Sequence, residues 1–324
     1  MNKSKIDWCD YTWNPVTGCF HNCPYCYAKG IAHRFRPEFR PNSDEIDGYY
    51  IKTDYYDKDT GEAYDMLVLN IPAMKYGKLQ PYPMCFNPTF HRYRLNEPEK
   101  KTKGANIFVC SMADLFGEWV PDKWIEEILD VSTDTTQHNY LFLTKNPKRY
   151  NQILNYYMGE ERGCEEGYTL CDNLWFGATV TQQADIERVN ILSKLEEGHR
   201  FLSIEPLQSQ LVLNLQRGRC PNCGSSQIYQ DNPATTQGLP FHYCDCCGEW
   251  EGNDDTELKP SIDWVIIGAE TGNRKDKIIP KRKWIEDLVN ECKAAGVPVF
   301  MKSNLSEVWG ANLIQDYPEA LKGR

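Results

Sequence analysis

The chain has 324 residues, 41% hydrophobic and 25% charged. That is long enough for one large domain or two ordinary ones, with enough apolar side chain for a sizeable core. A formal net charge of −10 argues against a protein that lives on non-specific contacts with nucleic-acid phosphates. The start Met1-Asn2-Lys3-Ser4-Lys5-Ile6-Asp7-Trp8 has no apolar signal region, and no apolar run approaches the roughly 20 residues of a membrane span, so a cytoplasmic protein without a membrane partner is expected.

Short β-branched and aromatic runs alternate with helical stretches along the chain. The first run predicts a strand over Trp13–Thr17. It leads into Gly18-Cys19-Phe20-His21-Asn22-Cys23-Pro24-Tyr25-Cys26-Tyr27-Ala28, whose three thiols are spaced C-x3-C-x2-C. A structural zinc ion wants four protein ligands, and a cluster held only for electron transfer normally takes four cysteines. Three close thiols with no obvious fourth suggest a cubane cluster with one iron left open to a substrate or cosubstrate. The alternative is a zinc site completed by His21 or a distant cysteine. With 14 cysteines and no signal region, metal binding in a reducing compartment is favoured over a disulfide framework. Cys9, Cys85, Cys110, Cys164, Cys171 and Cys292 are scattered and read as ordinary thiols, or in part as ligands of an auxiliary cluster.

A helix is predicted over Pro24–Phe35. The polar, Tyr-rich segment 37–88 interrupts the pattern as an insertion, a candidate hairpin lid. Further strands are expected at Asn106–Met112, Tyr140–Thr144, Leu174–Val180, Arg200–Ile204, Asp263–Gly268 and Val297–Lys302. Helices are expected at Pro121–Thr133, Pro147–Tyr157, Ala184–Leu195 and Lys281–Ala295, with apolar stripes that serve core packing. Basic segments occur at His91–Arg94, with Lys100, Lys101 and Lys103, and over Arg274–Lys283; each is a solvated face or a nucleic-acid contact. Near-continuous apolar strands suit a parallel sheet covered by helices. Alternating strand and helix predicts an α/β fold with right-handed crossovers, a partial (β/α)6 TIM-like barrel over 1–215 and 260–324. In such folds the working groups sit at the C-terminal ends of the strands, where Cys19 would fall.

The second insertion, 216–259, carries Cys220-Pro-Asn-Cys223-Gly224 and Cys244-Asp-Cys-Cys247-Gly248. Glycine after each second cysteine suits a turn that aims backbone N–H groups at sulfur. Four thiolates from Cys220, Cys223, Cys244 and Cys247 predict a closed, structural Zn2+ site, a zinc ribbon. A rubredoxin-like iron or auxiliary iron–sulfur site is the alternative, and Cys246 is a spare ligand. Such an insert has few large apolar groups and needs a metal to hold itself together.

The cysteine spacing, with aromatic Tyr25 just before the third cysteine, resembles the radical S-adenosylmethionine superfamily. The resemblance implies a [4Fe-4S] cluster on Cys19, Cys23 and Cys26. S-adenosylmethionine would chelate the fourth iron, and a flavodoxin- or ferredoxin-like partner would donate the electron. More narrowly, the chain resembles an uncharacterised, phage-encoded, radical-SAM-like family. It does so at Trp13-Asn14-Pro15-Val16-Thr17-Gly18-Cys19, Asp114-Leu115-Phe116, Leu143-Thr144-Lys145-Asn146-Pro147, Ser203-Ile204-Glu205-Pro206-Leu207, Asp263–Gly272 and Phe300-Met301-Lys302. It departs from that group in a shorter first cysteine loop and in Ala269, where a second glycine is usual.

Strand-end residues supply the remaining candidates. Ser111 and Asp114 lie where the superfamily contacts the methionine amino group, for which Asp114 offers an acceptor; a helix N-cap is the bland alternative. Lys145 would meet a carboxylate or phosphate, or be solvated. Thr179 and Thr181 would bond ribose hydroxyls or cap. Ser203 and Glu205 end the fifth strand, and an unpaired buried Glu205 would be costly. Gly268 would let the adenine ring approach closely, beside Glu270. Lys302 would pair with Glu205 or Glu270, or bind an anion; Glu205 and Lys302 are the catalytic candidates. No Ser-His-Asp, H-E-x-x-H or P-loop pattern appears. The expectation is a radical SAM enzyme acting on a nucleic-acid base or nucleotide. The alternative is a non-catalytic, zinc-stabilised adaptor for nucleic acid or protein.

Overall fold

Alternating apolar strands and amphipathic helices dictate the first half of the chain, which a computed structural model describes together with most of the second. The described residues are 1–35, 48–56, 63–158, 172–195, 197–215, 218–219, 228–230, 241–244, 248–251, 259–272 and 274–323. They divide into two compact units. One holds Met1–Ala178, Glu270–Lys277 and Leu321–Arg324; the other holds Thr179–Ala269 and Ile278–Ala320.

The first unit opens with β1 (Asn2–Lys3), β2 (Tyr11–Trp13) and β3 (Val16–Thr17), then α1 (Tyr27–Arg34). The predicted strand Trp13–Thr17 is therefore two strands in two sheets. Pro15 has no N–H to give a ladder, and the Asn14 side chain turns to the end of a neighbouring strand. The 37–88 insertion contributes β4 (Gly48–Tyr56), β5 (Ala63–Leu69) and the short hairpin β6 (Met74–Lys75) with β7 (Lys78–Leu79), and β8 (Thr89–His91) follows directly. Strands β4 and β5 form an antiparallel hairpin, and the order β3-β8-β5-β4 makes a separate sheet. The insertion is thus fastened to the residues that precede the cysteine loop.

β9 (Asn106–Val109), α2 (Asp122–Asp134), β10 (Asn139–Thr144), α3 (Lys148–Met158) and β11 (Leu174–Thr179) follow as repeated strand–helix units. Strands β2, β9, β10 and β11 are neighbours in that order and parallel, with β1 antiparallel at the edge. Every residue of β9 and β11 is buried, as expected for strands covered on both faces. Helix α2 buries Trp124, Ile125, Ile128 and Leu129, at the spacing of one helical face.

In the second unit the predicted helix Ala184–Leu195 is a 3-10 turn, Gln183–Asp185, followed by α4 (Glu187–Leu192). Asp185, within the 3-10 turn, accepts hydrogen bonds from the Thr181 N–H and hydroxyl, both at 2.9 Å, which ties the turn back to the end of the preceding strand. β12 (His199–Ile204) precedes five short strands of the 216–259 region and its flank: β13 (Gly218–Arg219), β14 (Ile228–Gln230), β15 (Phe241–Cys244), β16 (Gly248–Glu251) and β17 (Lys259–Pro260). β13 pairs with β17, and β14-β15-β16 form an antiparallel sheet. Cys220, Cys223, Cys246 and Cys247 lie outside the described residues, as do Cys164 and Cys171, and Cys244 is described by its backbone alone. β18 (Trp264–Ile267), α5 (Arg282–Ala294), β19 (Val299–Met301) and α6 (Ser306–Trp309) complete the unit. Strands β12, β18 and β19 are parallel neighbours. The fold class is α/β, as the sequence predicts. Among the described residues no helix is long and apolar enough to cross a membrane.

Candidate metal centre and strand-end sites

The cysteine loop is held by backbone bonds to the segment just past β9 and to the segment just before β8. Gly18 N–H donates to the Met112 carbonyl at 2.9 Å and Cys19 N–H to the Phe86 carbonyl at 3.0 Å. Gly18 has φ +93°, and a Cβ there would stand 2.3 Å from the Asn87 carbonyl oxygen; only glycine permits this entry to the loop. Asn14 Oδ1 accepts from the Ser111 hydroxyl at 3.1 Å and from Met112 N–H at 3.0 Å. The Tyr27 hydroxyl donates to the Ser111 carbonyl at 2.7 Å. Ser111, a cosubstrate candidate, thus ties the loop to the strand.

Cys19, Cys23 and Cys26 are free and partly buried. Cys19 and Cys26 pack against the cluster Ala28, Ala32, Phe86 and Met112. His21 N–H points at Cys19 Sγ (3.5 Å), and Lys29 N–H at Cys26 Sγ (3.3 Å), which makes Cys26 the N-cap of α1. Burial pushes the Cys19 thiol up; the Asp114 charge and the neighbouring Cys23 and Cys26 push it further, against the His21 N–H. Burial also raises Cys23, with Cys26 and Asp114 adding to it, while Lys145 and the hydrogen-bonded Tyr25 hydroxyl oppose the rise. Ionisation of one thiol in the loop therefore disfavours ionisation of another. A cation at their centre would reverse this balance and hold thiolates. Among the described residues no group of three His, Cys, Asp or Glu side chains is gathered to hold a single metal ion.

Asp114 is the deepest charged group of this region, 5% exposed. Its Oδ2 meets His21 Nε2 at 2.7 Å and accepts Lys145 N–H at 2.9 Å; its Oδ1 accepts Phe116 N–H at 3.2 Å. Burial alone would raise its carboxyl. The His21 hydrogen bond and charge, with the Lys145 N–H and the Thr144 hydroxyl, outweigh burial and hold it below the ordinary carboxylate range. Both oxygens are spent within the protein, so Asp114 is placed to fix the loop rather than to offer itself to a bound ammonium. Lys145 Nζ donates to the Tyr25 hydroxyl at 3.2 Å.

Glu270 is 6% exposed and grips Arg274 through two bonds of 2.8 Å, Oε1 to Nε and Oε2 to Nη2. Glu270, Thr271, Gly272 and Arg274 form one wall of a cavity of about 370 Å3, and Tyr25, Cys26, Tyr27, Gly30 and Arg34 form another. The basic segment beginning at Arg274 was visible in the sequence, but its pairing with Glu270 was not.

In the second unit Lys302 forms an ion pair with Glu205, with side chains 13% and 24% exposed. Of the sequence alternatives for Lys302, this is the one the structure forms. A Cβ on Gly268 would meet Lys302 Cδ at 3.0 Å and Glu205 Cδ at 3.2 Å, so the space above Gly268 holds this pair. Asn304, not singled out in the sequence, clamps Ala269: Oδ1 accepts its N–H at 3.1 Å and Nδ2 donates to its carbonyl at 2.7 Å. Ser203 is buried, and its carbonyl accepts Val180 N–H at 3.0 Å. The Thr179 carbonyl accepts from Arg188 at 2.8 Å.

No curated protein matches the chain. Among solved structures it is similar to that of a cysteine-to-serine mutant of spore photoproduct lyase, with a TM-score of 0.36 and 11% identity. The match covers 63% of this chain and 48% of that one, about half its length, and is too slight to assign fold or activity. Residues 3–317 match the family described as "Protein of unknown function (DUF5131)", and the chain belongs to that family.

Proposed function

We propose that the protein is a radical SAM enzyme whose [4Fe-4S] cluster sits on Cys19, Cys23 and Cys26. The observation that carries this is the C-x3-C-x2-C loop itself: three free thiols within residues 19–26, two of them accepting backbone N–H bonds, with Gly18 tied to the Met112 carbonyl past the end of β9. The donor set fits such a group, because N–H bonds to sulfur are the usual support of cluster thiolates. When bound, the cluster would bring S-adenosylmethionine to its open iron and supply the electron that cleaves the sulfonium and starts hydrogen abstraction. Such chemistry requires a one-electron donor, proposed to be a flavodoxin- or ferredoxin-like protein.

The protein's own residues would position and screen. His21 and Asp114 pin the loop between the first two thiols, and Lys145 with Tyr25 places a positive charge against Cys23. Sequential parallel strands with intervening helices support a partial (β/α)6 barrel as the frame. The 216–259 insert is proposed as a zinc ribbon on Cys220, Cys223, Cys244 and Cys247, and a nucleic-acid base or nucleotide as the substrate.

Anaerobic reconstitution tests the proposal. About four irons bound beyond the zinc, and 5'-deoxyadenosine formed on reduction with S-adenosylmethionine but absent in Cys23→Ala, are expected. Zinc alone, with no iron retained after anaerobic purification, would instead identify a non-catalytic adaptor.

A further inference from the structure

The cavity beside Cys26 has features that the packing of the chain itself does not require. Gly30 lies within α1, where glycine is the least favourable residue but proline. A Cβ added there would meet nothing within 4 Å, so no contact of the chain demands its absence. Gly30 nevertheless lines the cavity, and a bare backbone there leaves room for something else. Opposite it, Arg274 is pre-set by the bidentate grip of Glu270, and Arg34 extends from the same helix as Gly30. Glu270 neutralises one of these two guanidinium charges and leaves one.

The surround has the same character. Tyr27 and Phe35 are large aromatic side chains left 48% and 57% exposed at the two ends of α1. Lys275 and Lys277 are exposed beyond Arg274, with the exposed Asp276 carboxylate between them offsetting one of these charges. Exposed rings beside a positively charged trough are how proteins hold single strands without reading sequence: bases stack on the rings while cations follow the backbone. The guanidinium fork of Arg34 suits phosphate oxygens, whereas Arg274, whose Nε and Nη2 are held by Glu270, has Nη1 to offer. The −10 net charge opposes non-specific binding of a polyanion, so a strand would be held at local basic patches such as this one or the segment His91–Arg94 with Lys100, Lys101 and Lys103.

We propose that this cavity seats one phosphodiester of a single-stranded nucleic acid on Arg274 and Arg34, with the flanking bases against Tyr27 and Phe35. This deepens the substrate class proposed above and places the strand beside Cys26, although the binding itself needs no cluster.

The test is fluorescence anisotropy of a labelled single-stranded eight-nucleotide DNA and its RNA counterpart, with the full-length protein. Unlabelled duplex, a nucleoside monophosphate, inorganic phosphate and a poly-glutamate peptide serve as competitors. Arg274→Gln should weaken strand binding at least tenfold and lower the slope of log affinity against log salt by about 0.7, the share of one single-strand phosphate contact. Gly30→Leu, which fills the cavity from a helix position that accepts a side chain, should abolish binding without lowering the unfolding midpoint. Equal binding by wild type and Arg274→Gln overturns the proposal. So does a nucleoside monophosphate that binds as tightly as the strand, or a poly-glutamate peptide that competes as well as the unlabelled strand. Iron content measured on the same samples after anaerobic reconstitution separates the two claims. Strand binding without iron refutes the cluster and keeps the cavity assignment; iron without strand binding does the reverse.

Discussion

Two strand-end carboxylates, one in each unit, show opposite ways of using a charge. Asp114, after β9, is almost fully buried and receives His21 together with the Lys145 and Phe116 N–H groups. Its geometry is fixed by backbone from two places in the chain. Glu205, after β12, faces one lysine on a long side chain and keeps about a quarter of its surface in water. The first arrangement holds a loop still; the second is an ion pair that another anion or cation can exchange into. Location at a strand end therefore does not by itself make a ligand-binding group, since the number of committed donors decides what is left over.

The largest effect expected from this contrast is Asp114→Ala. Removing the acceptor strands His21 and two N–H groups in a buried setting, which costs about 3 kcal/mol. Urea unfolding measures this, and the iron-to-protein ratio should fall with it. Asp114→Asn, which keeps an oxygen, should lose less of both. If Asp114→Ala matches wild type in both measurements, the loop is held by something else.

Lys302→Met should cost about 2 kcal/mol, less than breaking a fully buried pair, because Glu205 regains water. The double change with Glu205→Gln should recover most of the loss in a double-mutant cycle. Failure to recover would show that Lys302 acts through packing and not through charge.

Acid provides a third comparison. Asp114 titrates below its unfolded value, so its contribution to stability is complete above about pH 5. That contribution disappears as pH falls below about 4 and through the folded value, because the unfolded chain then binds a proton the folded one resists. The slope approaches about 1.4 kcal/mol per pH unit. Urea midpoints between about pH 3 and 6 on metal-free protein should show this component in wild type and lose it in Asp114→Asn.

The smallest effect is a gain. Gly30→Ala should stabilise the protein by up to about 1 kcal/mol through helix propensity, read as a higher midpoint, while weakening strand binding. A residue present only for the fold would not separate these two readouts.

Local chemistry was legible in the sequence and distant pairing was not. The order and type of the parallel strands followed from apolar runs, and α2 and α5 from apolar stripes at helical spacing. The break between β2 and β3 was missed. It depends on Asn14 reaching Ser111 and Met112, nearly 100 residues away, and on β3 joining strands of the insertion. Asp114 was visible as a polar residue after a strand, yet its role depends on His21, which nothing local connects to it. Glu270 was visible as well. Its partner Arg274 is four residues on, but not along a helix, so no periodicity announced the pair. Lys302 offered two carboxylates at the sequence level, and only the fold selects Glu205.

Cys26, a proposed cluster ligand, also has a capping role that the other two thiols lack. Its sulfur accepts the Lys29 N–H and so closes the first turn of α1, the same helix that carries Gly30 and Arg34 to the cavity wall. Oxidation or alkylation of that one atom would fray the helix from its leading edge and splay the wall it supports. Damage at the proposed cluster site would then reach the proposed strand site through the helix they share.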